Sequence, residues 1–120
     1  MAVFWIRLSC LFMFLGVAAG AFGAHGLKNV LPDPMKTVFE TAVRYQVIHG
    51  LALLGVAWQA SRNLASSVNA AGWFFTAGIV LFSGSLYILS LTGVKAWGAV
   101  TPFGGLAFLL GWLCLAFKPL

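Results

Sequence analysis

The stretch that decides the fold is Asn63–Val94, NLASSVNAAGWFFTAGIVLFSGSLYILSLTGV, which runs for 32 residues without an ionised side chain. A helix needs roughly 20 mostly apolar residues to cross a ~30 Å hydrocarbon core, because each residue rises ~1.5 Å along the axis. The stretch is long enough to hold one transmembrane helix, which we predict over about residues 69–91.

Three more uncharged stretches flank this one: Leu8–His25, the 17 residues Tyr45–Ser61, and the 22 residues Ala96–Phe117. They predict further spans at about residues 3–24, 35–60 and 96–117. The composition agrees, since 62% of the residues are hydrophobic and 8% are charged, whereas soluble domains carry about a quarter charged residues. We therefore predict one all-α transmembrane domain over residues 1–120, an integral membrane four-helix bundle.

The first predicted span begins like a secretory signal peptide, with Arg7 before the apolar run Leu8–Val17 and small residues at 19–21. We interpret it as a genuine transmembrane helix. Gly16 and Gly20 lie one turn apart within it, and such small residues let a neighbouring helix approach closely. Packing within the chain is the favoured explanation for this pair, and a homodimer contact is the alternative.

Two residues predict where helices end or rearrange. Gly26 follows the first span, and we expect it to adopt the left-handed conformation that stops helices. Pro102 lies early in the fourth span, and proline removes a helical hydrogen bond. A kink or local rearrangement is therefore expected near Gly98.

The cysteines and tryptophans follow the same span assignment. Cys10 and Cys114 fall in apolar stretches without metal-site spacing, so we expect buried free thiols. We call the membrane face with both termini side A and the opposite face side B. Four tryptophans fall toward side A and predict an aromatic belt at the headgroups: Trp5, Trp58, Trp73 and Trp112.

Most of the remaining polar side chains fall toward side B. They are His25 at the end of span one; Glu40, Arg44, Tyr45, Gln46 and His49 in span two; Ser83, Ser85 and Tyr87 in span three; and Thr101 in span four. A charged side chain at the bilayer centre costs about 2.5–3.5 kcal/mol, so such groups face the bundle interior and pair. We predict a shared inward-facing polar cluster, in which Arg44 pairs with Glu40 and a neutral His49 lies ~7.5 Å deeper.

Several functions remain open for this cluster. It can fix helix register and packing, bind a ligand, or serve an accessory role in a larger complex. Alternatives are a small oligomeric ion or small-solute transporter, and a haem-binding or redox subunit that uses His25 and His49. The motifs of soluble enzymes are absent from the sequence, and Glu40 is the sole acid inside a predicted span. We expect a protein that is not an enzyme, with no catalytic residue, metal or cofactor.

The charge pattern indicates the partners. The net charge is +5, but the seven basic residues are scattered over the turns and form no patch that could follow nucleic acid. Membrane lipids are the expected partners, with a homo-oligomer or a larger membrane complex as further options. The basic residues divide almost evenly between the two sides, and we expect both termini in the cytoplasm.

Four motifs carry a family resemblance. They are Gly20-Ala21-Phe22-Gly23-Ala24-His25-Gly26, Tyr45-Gln46 with His49, Leu81-Phe82-Ser83-Gly84-Ser85-Leu86-Tyr87, and Thr101-Pro102 with Gly104-Gly105. In order and spacing the chain resembles the YgdD/YwdK-like family of small membrane proteins, catalogued as domain of unknown function 423. The resemblance implies a four-span helical protein of the bacterial inner membrane. It implies no established activity and no catalytic residues.

Overall fold

The computed structural model describes residues 1–62 and 66–117, and every regular element in these ranges is a helix. The elements are α1 (Ala2–His25), α2 (Asp33–Arg62), α3 (Ser66–Gly78), a π-helical turn (Ile79–Ser83), α4 (Gly84–Thr92), a 3-10 turn (Lys95–Ala99) and α5 (Thr101–Ala116). From α3 to α4 the helix is continuous, so four long helical segments result. The all-α prediction is confirmed.

Three of the four segments are long and apolar enough to cross a membrane: Ala2–His25, Ser66–Thr92 and Lys95–Ala116. Large apolar side chains cover their outer surfaces, among them Phe14, which is 73% exposed, and Phe103, which is 67% exposed. A surface of this kind is stable when hydrocarbon surrounds it. The α2 helix is longer: four of its charged residues, Asp33, Lys36, Glu40 and Arg44, lie among its first twelve residues, and the fifth, Arg62, is its last residue.

Helices α1 and α2 pack against each other in opposite directions along most of α1. The glycines on one face of α1 make the close approach possible. A Cβ added to Gly16 would lie 3.1 Å from Val47, and one added to Gly20 would lie 3.4 Å from Val43. Toward the end of α1, Gly23 faces the ring of Phe39. The predicted packing of Gly16 and Gly20 within the chain is confirmed.

The hydrophobic core lies toward side A, where all four segments meet. Its fully buried side chains include Trp5 from α1, Leu53 and Val56 from α2, and Val68 and Phe75 from α3. Phe108 of α5 completes this core. The bundle is therefore closed by apolar packing at one end.

Gly26 does not adopt the predicted left-handed conformation, since its φ is −76°. The chain instead continues in a turn, in which the N–H groups of Gly26 and Leu27 both donate to the carbonyl of Phe22. The left-handed glycine is Gly93, with φ 72°, which follows α4 and donates to the carbonyl of Leu89. The Gly26 prediction was wrong because a helix can also end through a turn that needs no positive φ.

Pro102 lies in the first turn of α5, where a missing N–H costs no hydrogen bond. The preceding residues Lys95–Ala99 form a 3-10 turn instead of α-helix. The local rearrangement predicted near Gly98 is confirmed.

One of the four tryptophans does not belong to an aromatic belt. Trp5 is fully buried, and its indole N–H donates to Oδ1 of Asn69 at 3.0 Å. Trp112 donates its N–H to Nε2 of His49 at 3.1 Å. Trp58 and Trp73 are more than half exposed. The belt prediction was wrong for Trp5, which is buried with a polar partner on a neighbouring helix. For the other three tryptophans, including Trp112, which is 43% exposed, it stays a prediction.

The cysteines are free thiols, but the predicted burial was wrong. Cys10 is exposed on α1, and Cys114 on α5 is half-buried. The neighbouring Ser9 is buried and donates to the carbonyl of Gly50 at 2.6 Å. This contact turns the Ser9 face of α1 toward α2 and places Cys10 on the outer surface.

Candidate functional site

Gln46 connects three helices inside the bundle. Its Nε2 donates to the carbonyl of Phe12 on α1 at 2.9 Å, and its Oε1 accepts the hydroxyl proton of Tyr87 on α4 at 2.6 Å. Gln46 is 4% exposed. Hydrogen bonds across membrane helices contribute about 0.6–2 kcal/mol each. The pair Gln46–Tyr87 therefore fixes how α1, α2 and α4 fit together.

The predicted serines also bond within the bundle. Ser83 donates to the carbonyl of Ala42 on α2 at 2.7 Å, and both atoms are buried. The hydroxyls of Ser85 and Thr101 lie 2.6 Å apart and join α4 to α5. The hydroxyl groups of these residues form hydrogen bonds with neighbouring helices, so they contribute to helix packing.

His49 lies on α2 against the aromatic face of α5. Its ring stacks on Phe108 with 3.6 Å between the ring centroids and 8° between the planes. Its Nδ1 lies 2.8 Å from the carbonyl of Tyr45, and its Nε2 lies 3.1 Å from the indole nitrogen of Trp112. Because an indole N–H can only donate, Nε2 carries no proton and Nδ1 does. The imidazole is neutral in this arrangement.

A groove of about 610 Å³ runs between α2 and α5 beside His49. Its lining is mostly apolar and aromatic: Ile48, Phe82, Pro102, Gly105, Leu106, Phe108, Leu109 and Trp112, together with Arg44, Tyr45 and His49. Two polar groups face it without a hydrogen-bond partner among the described residues. They are the exposed guanidinium of Arg44 and the hydroxyl of Tyr45. We call this feature the α2–α5 groove.

The structure does not bring every predicted residue into one cluster. His25 is exposed at the end of α1, and Glu40 and Arg44 are exposed on α2. Among the described residues the one ion pair joins Lys36 to Asp33 at 3.1 Å, so the predicted Arg44–Glu40 pair is not formed. The physical reason is that a pair on an exposed helix surface gains little energy and costs side-chain entropy.

Sequence reasoning missed the partners of the polar residues. Trp112 and Phe108 surround His49, and the carbonyl of Phe12 receives Gln46. Every residue has a backbone carbonyl, so the sequence does not show which one accepts, and the position of Trp112 in span four predicts a place at the headgroups instead of a contact with His49. In the part of the chain that the structure describes, no three His, Cys, Asp or Glu side chains are grouped to hold a metal ion.

Fold and groove together define a small helical membrane protein with an amphipathic groove on its outer surface. Residues 19–105 match the family described as "Protein of unknown function (DUF423)". The chain belongs to this family.

The relatives are bacterial membrane proteins of similar length. The UPF0382 membrane protein YwdK of Bacillus subtilis is 48% identical over 112 residues, which cover 92% of this chain and 91% of the relative. The UPF0382 membrane protein SH2409 of Staphylococcus haemolyticus is 49% identical over 111 residues, or 92% and 90% of the two chains. A Staphylococcus epidermidis relative is 48% identical over 116 residues, or 97% and 94%. No solved structure matches the chain.

Proposed function

We propose that this protein is a non-enzymatic protein of the bacterial inner membrane that holds one phosphate-bearing membrane lipid in the α2–α5 groove. One observation carries the proposal. The guanidinium of Arg44 is exposed, has no carboxylate partner among the described residues, and lies at the rim of a groove of about 610 Å³ with apolar walls.

The polar end of the groove suits a phosphate. A guanidinium is a planar fork of N–H donors that matches phosphate oxygens, and it stays charged at all physiological pH values. The Tyr45 hydroxyl, next in sequence to Arg44, adds another donor on the same rim. Arginine and phosphate form charge-assisted, often bidentate hydrogen bonds, so a bound phosphate stabilises the charge.

The apolar remainder suits an acyl chain. Ile48, Leu106 and Leu109 line the groove together with the aromatic side chains of Phe108 and Trp112. Small-molecule sites occupy about 300–1,000 Å³ and are mostly apolar with a few polar groups. The groove has this size and this division between polar and apolar lining.

The interior of the bundle supports the alternatives less well. Gln46, Tyr87 and Ser83 are bonded to other parts of the chain, which favours packing over a transport path. Both nitrogens of His49 have partners, and His25 is exposed at a helix end, which disfavours the pair as axial ligands of a haem.

We further infer that all four segments cross the membrane with both termini in the cytoplasm. Antiparallel packing of α2 on α1 supports the second crossing, because a helix packed along a membrane span follows it through the bilayer. Side B, with Arg44 nearer to it than to side A, then faces outward. The groove would draw its lipid from the outer leaflet.

The test is retention of lipid by the purified protein in mild detergent, measured by native mass spectrometry. We expect Arg44→Gln to reduce retention about tenfold, equivalent to ~1.4 kcal/mol, near the lower end for a charged hydrogen bond. Arg62→Gln is the matched control, since it removes an exposed arginine at the other end of α2. Gly105→Leu fills the groove with Arg44 intact and should also release lipid. Equal retention by Arg44→Gln and the wild type would overturn the proposal.

A further inference from the structure

Glu40 and Arg44 carry opposite charges on α2, and neither forms an ion pair within residues 1–62 and 66–117. They are four residues apart, so they lie on one helix face with ~6 Å between them along the axis. Both are exposed. Lys36, the other basic residue one turn from Glu40, is engaged with Asp33. The carboxylate lies nearer to side B, and the guanidinium lies deeper beside the groove.

The positions of the two charges along α2 favour a lipid headgroup with a particular arrangement of charges. A phosphate bound to Arg44 carries one negative charge when it is a diester, and the rest of the headgroup extends toward side B. There it meets the carboxylate of Glu40. A group with a positive charge and N–H donors complements that carboxylate, whereas a neutral or negative group leaves it uncompensated.

We infer that the lipid in the groove is a zwitterionic aminophospholipid, with its phosphate on Arg44 and its primary ammonium on Glu40. This inference rests on the proposed function. The couple Glu40–Arg44 has no net charge, and neither does such a lipid, so binding leaves both charges of each partner compensated.

A helix pair of Glu and Arg four residues apart can also bond to itself in the empty protein. Such a surface pair stabilises an isolated helix only weakly. A lipid phosphate bound to Arg44 and an ammonium bound to Glu40 can therefore replace the pair between these two side chains. A trimethylated amine has no N–H donor, so a choline lipid should bind more weakly than an ethanolamine lipid.

The experiment presents delipidated protein in detergent with equal amounts of phosphatidylethanolamine, phosphatidylglycerol and phosphatidylcholine carrying the same acyl chains. Bound lipid is counted by native mass spectrometry. We expect the wild type to prefer phosphatidylethanolamine over the other two. Glu40→Gln should lower the ethanolamine-to-glycerol ratio about fivefold, the upper range for an exposed ion pair. Lys95→Gln, which removes an exposed side-B charge that is not on α2, should leave the ratio unchanged.

The outcomes separate the inference from the proposed function. If Glu40→Gln keeps the wild-type ratio while Arg44→Gln loses all three lipids, the groove binds phosphate but Glu40 does not select the headgroup. A wild type that prefers phosphatidylglycerol, or that binds the choline lipid equally well, also overturns the inference. If Arg44→Gln retains lipid as the wild type does, the proposed function fails as well.

Discussion

The imidazole of His49 is held in one tautomer by two helices. On α2 its Nδ1–H donates to the carbonyl of Tyr45, one turn earlier, and from α5 the indole N–H of Trp112 donates to its Nε2. A proton on Nε2 would break the contact with Trp112, since neither nitrogen could then accept. The ring also lies flat on Phe108. The neutral side chain of His49 therefore connects α2 to α5.

Trp112→Phe tests the hydrogen bond between Trp112 and His49. The change keeps an aromatic ring but removes the N–H, which leaves a buried acceptor on His49 without a partner. We expect a loss of about 1–2 kcal/mol in the free energy of unfolding, measured as a lower thermal midpoint in detergent. Trp58→Phe is the matched control, because Trp58 is 58% exposed and should lose less than about 0.5 kcal/mol. Equal losses in both variants would show that the Trp112 contact contributes nothing.

The sequence could name the polar residues but not their partners. Gln46, His49 and Tyr87 stand out because polar groups are rare in apolar stretches, and all three bond across helices. The identity of each partner depends on how far every helix is rotated about its axis, which periodicity within one helix does not determine. For Arg44 the sequence also did not predict which way the side chain faces. Its charge predicted an inward pair, whereas it is exposed at the rim of the groove.

Helical elements carry one irregularity that matters for the groove. The π-helical turn Ile79–Ser83 inserts an extra residue into the segment Ser66–Thr92 and so changes the rotation of everything that follows. It places the backbone of Phe82 directly against Gly104 of α5, while Ser83 faces the carbonyl of Ala42 on α2. The sequence predicted one regular span here, because no residue type is specific for a π-helical turn.

Gly104→Ala tests this close approach. A Cβ at Gly104 would meet the backbone N and Cα of Phe82, which cannot move aside as a flexible side chain can. We expect a loss of about 1–3 kcal/mol in the free energy of unfolding, typical of overpacking. The neighbouring Gly105 offers a control within the same turn, since its Cβ would lie 3.9 Å from the ring of Phe82. Gly105→Ala should be neutral or slightly stabilising, because alanine favours helix. Similar losses at both positions would contradict the packing of α5 on the π-helical turn.

At the scale of the whole molecule, the helix that differs most is α2. It has 30 residues, ~45 Å of helix against a hydrocarbon core of ~30 Å. The charged side chains Lys36, Glu40 and Arg44 lie among its first twelve residues, and 17 uncharged residues follow before Arg62 at its end. The excess length can therefore extend into the headgroups on side B. The uncharged run in the sequence predicted this span. Its direction, antiparallel to α1, follows from the packing of the two helices.

Labelling of single cysteines tests whether α2 crosses the membrane. In a Cys10→Ala, Cys114→Ala background, Thr37→Cys and Ser61→Cys place one thiol near each end of α2, and both positions are exposed. With the termini in the cytoplasm, a membrane-impermeant maleimide should label Thr37→Cys on intact cells. It should label Ser61→Cys only after the cells are opened, because a crossing helix puts its ends in different compartments.

Asn29→Cys, in the exposed turn between α1 and α2, is the control for side B and should be labelled together with Thr37→Cys. The reverse pattern, with Ser61→Cys labelled from outside, would invert the orientation and move the groove to the inner leaflet while the crossing stands. Labelling of both ends of α2 from one side would mean that this helix lies along the surface. In that case Arg44 would be solvated by water, and the need for a phosphate partner in the groove would disappear.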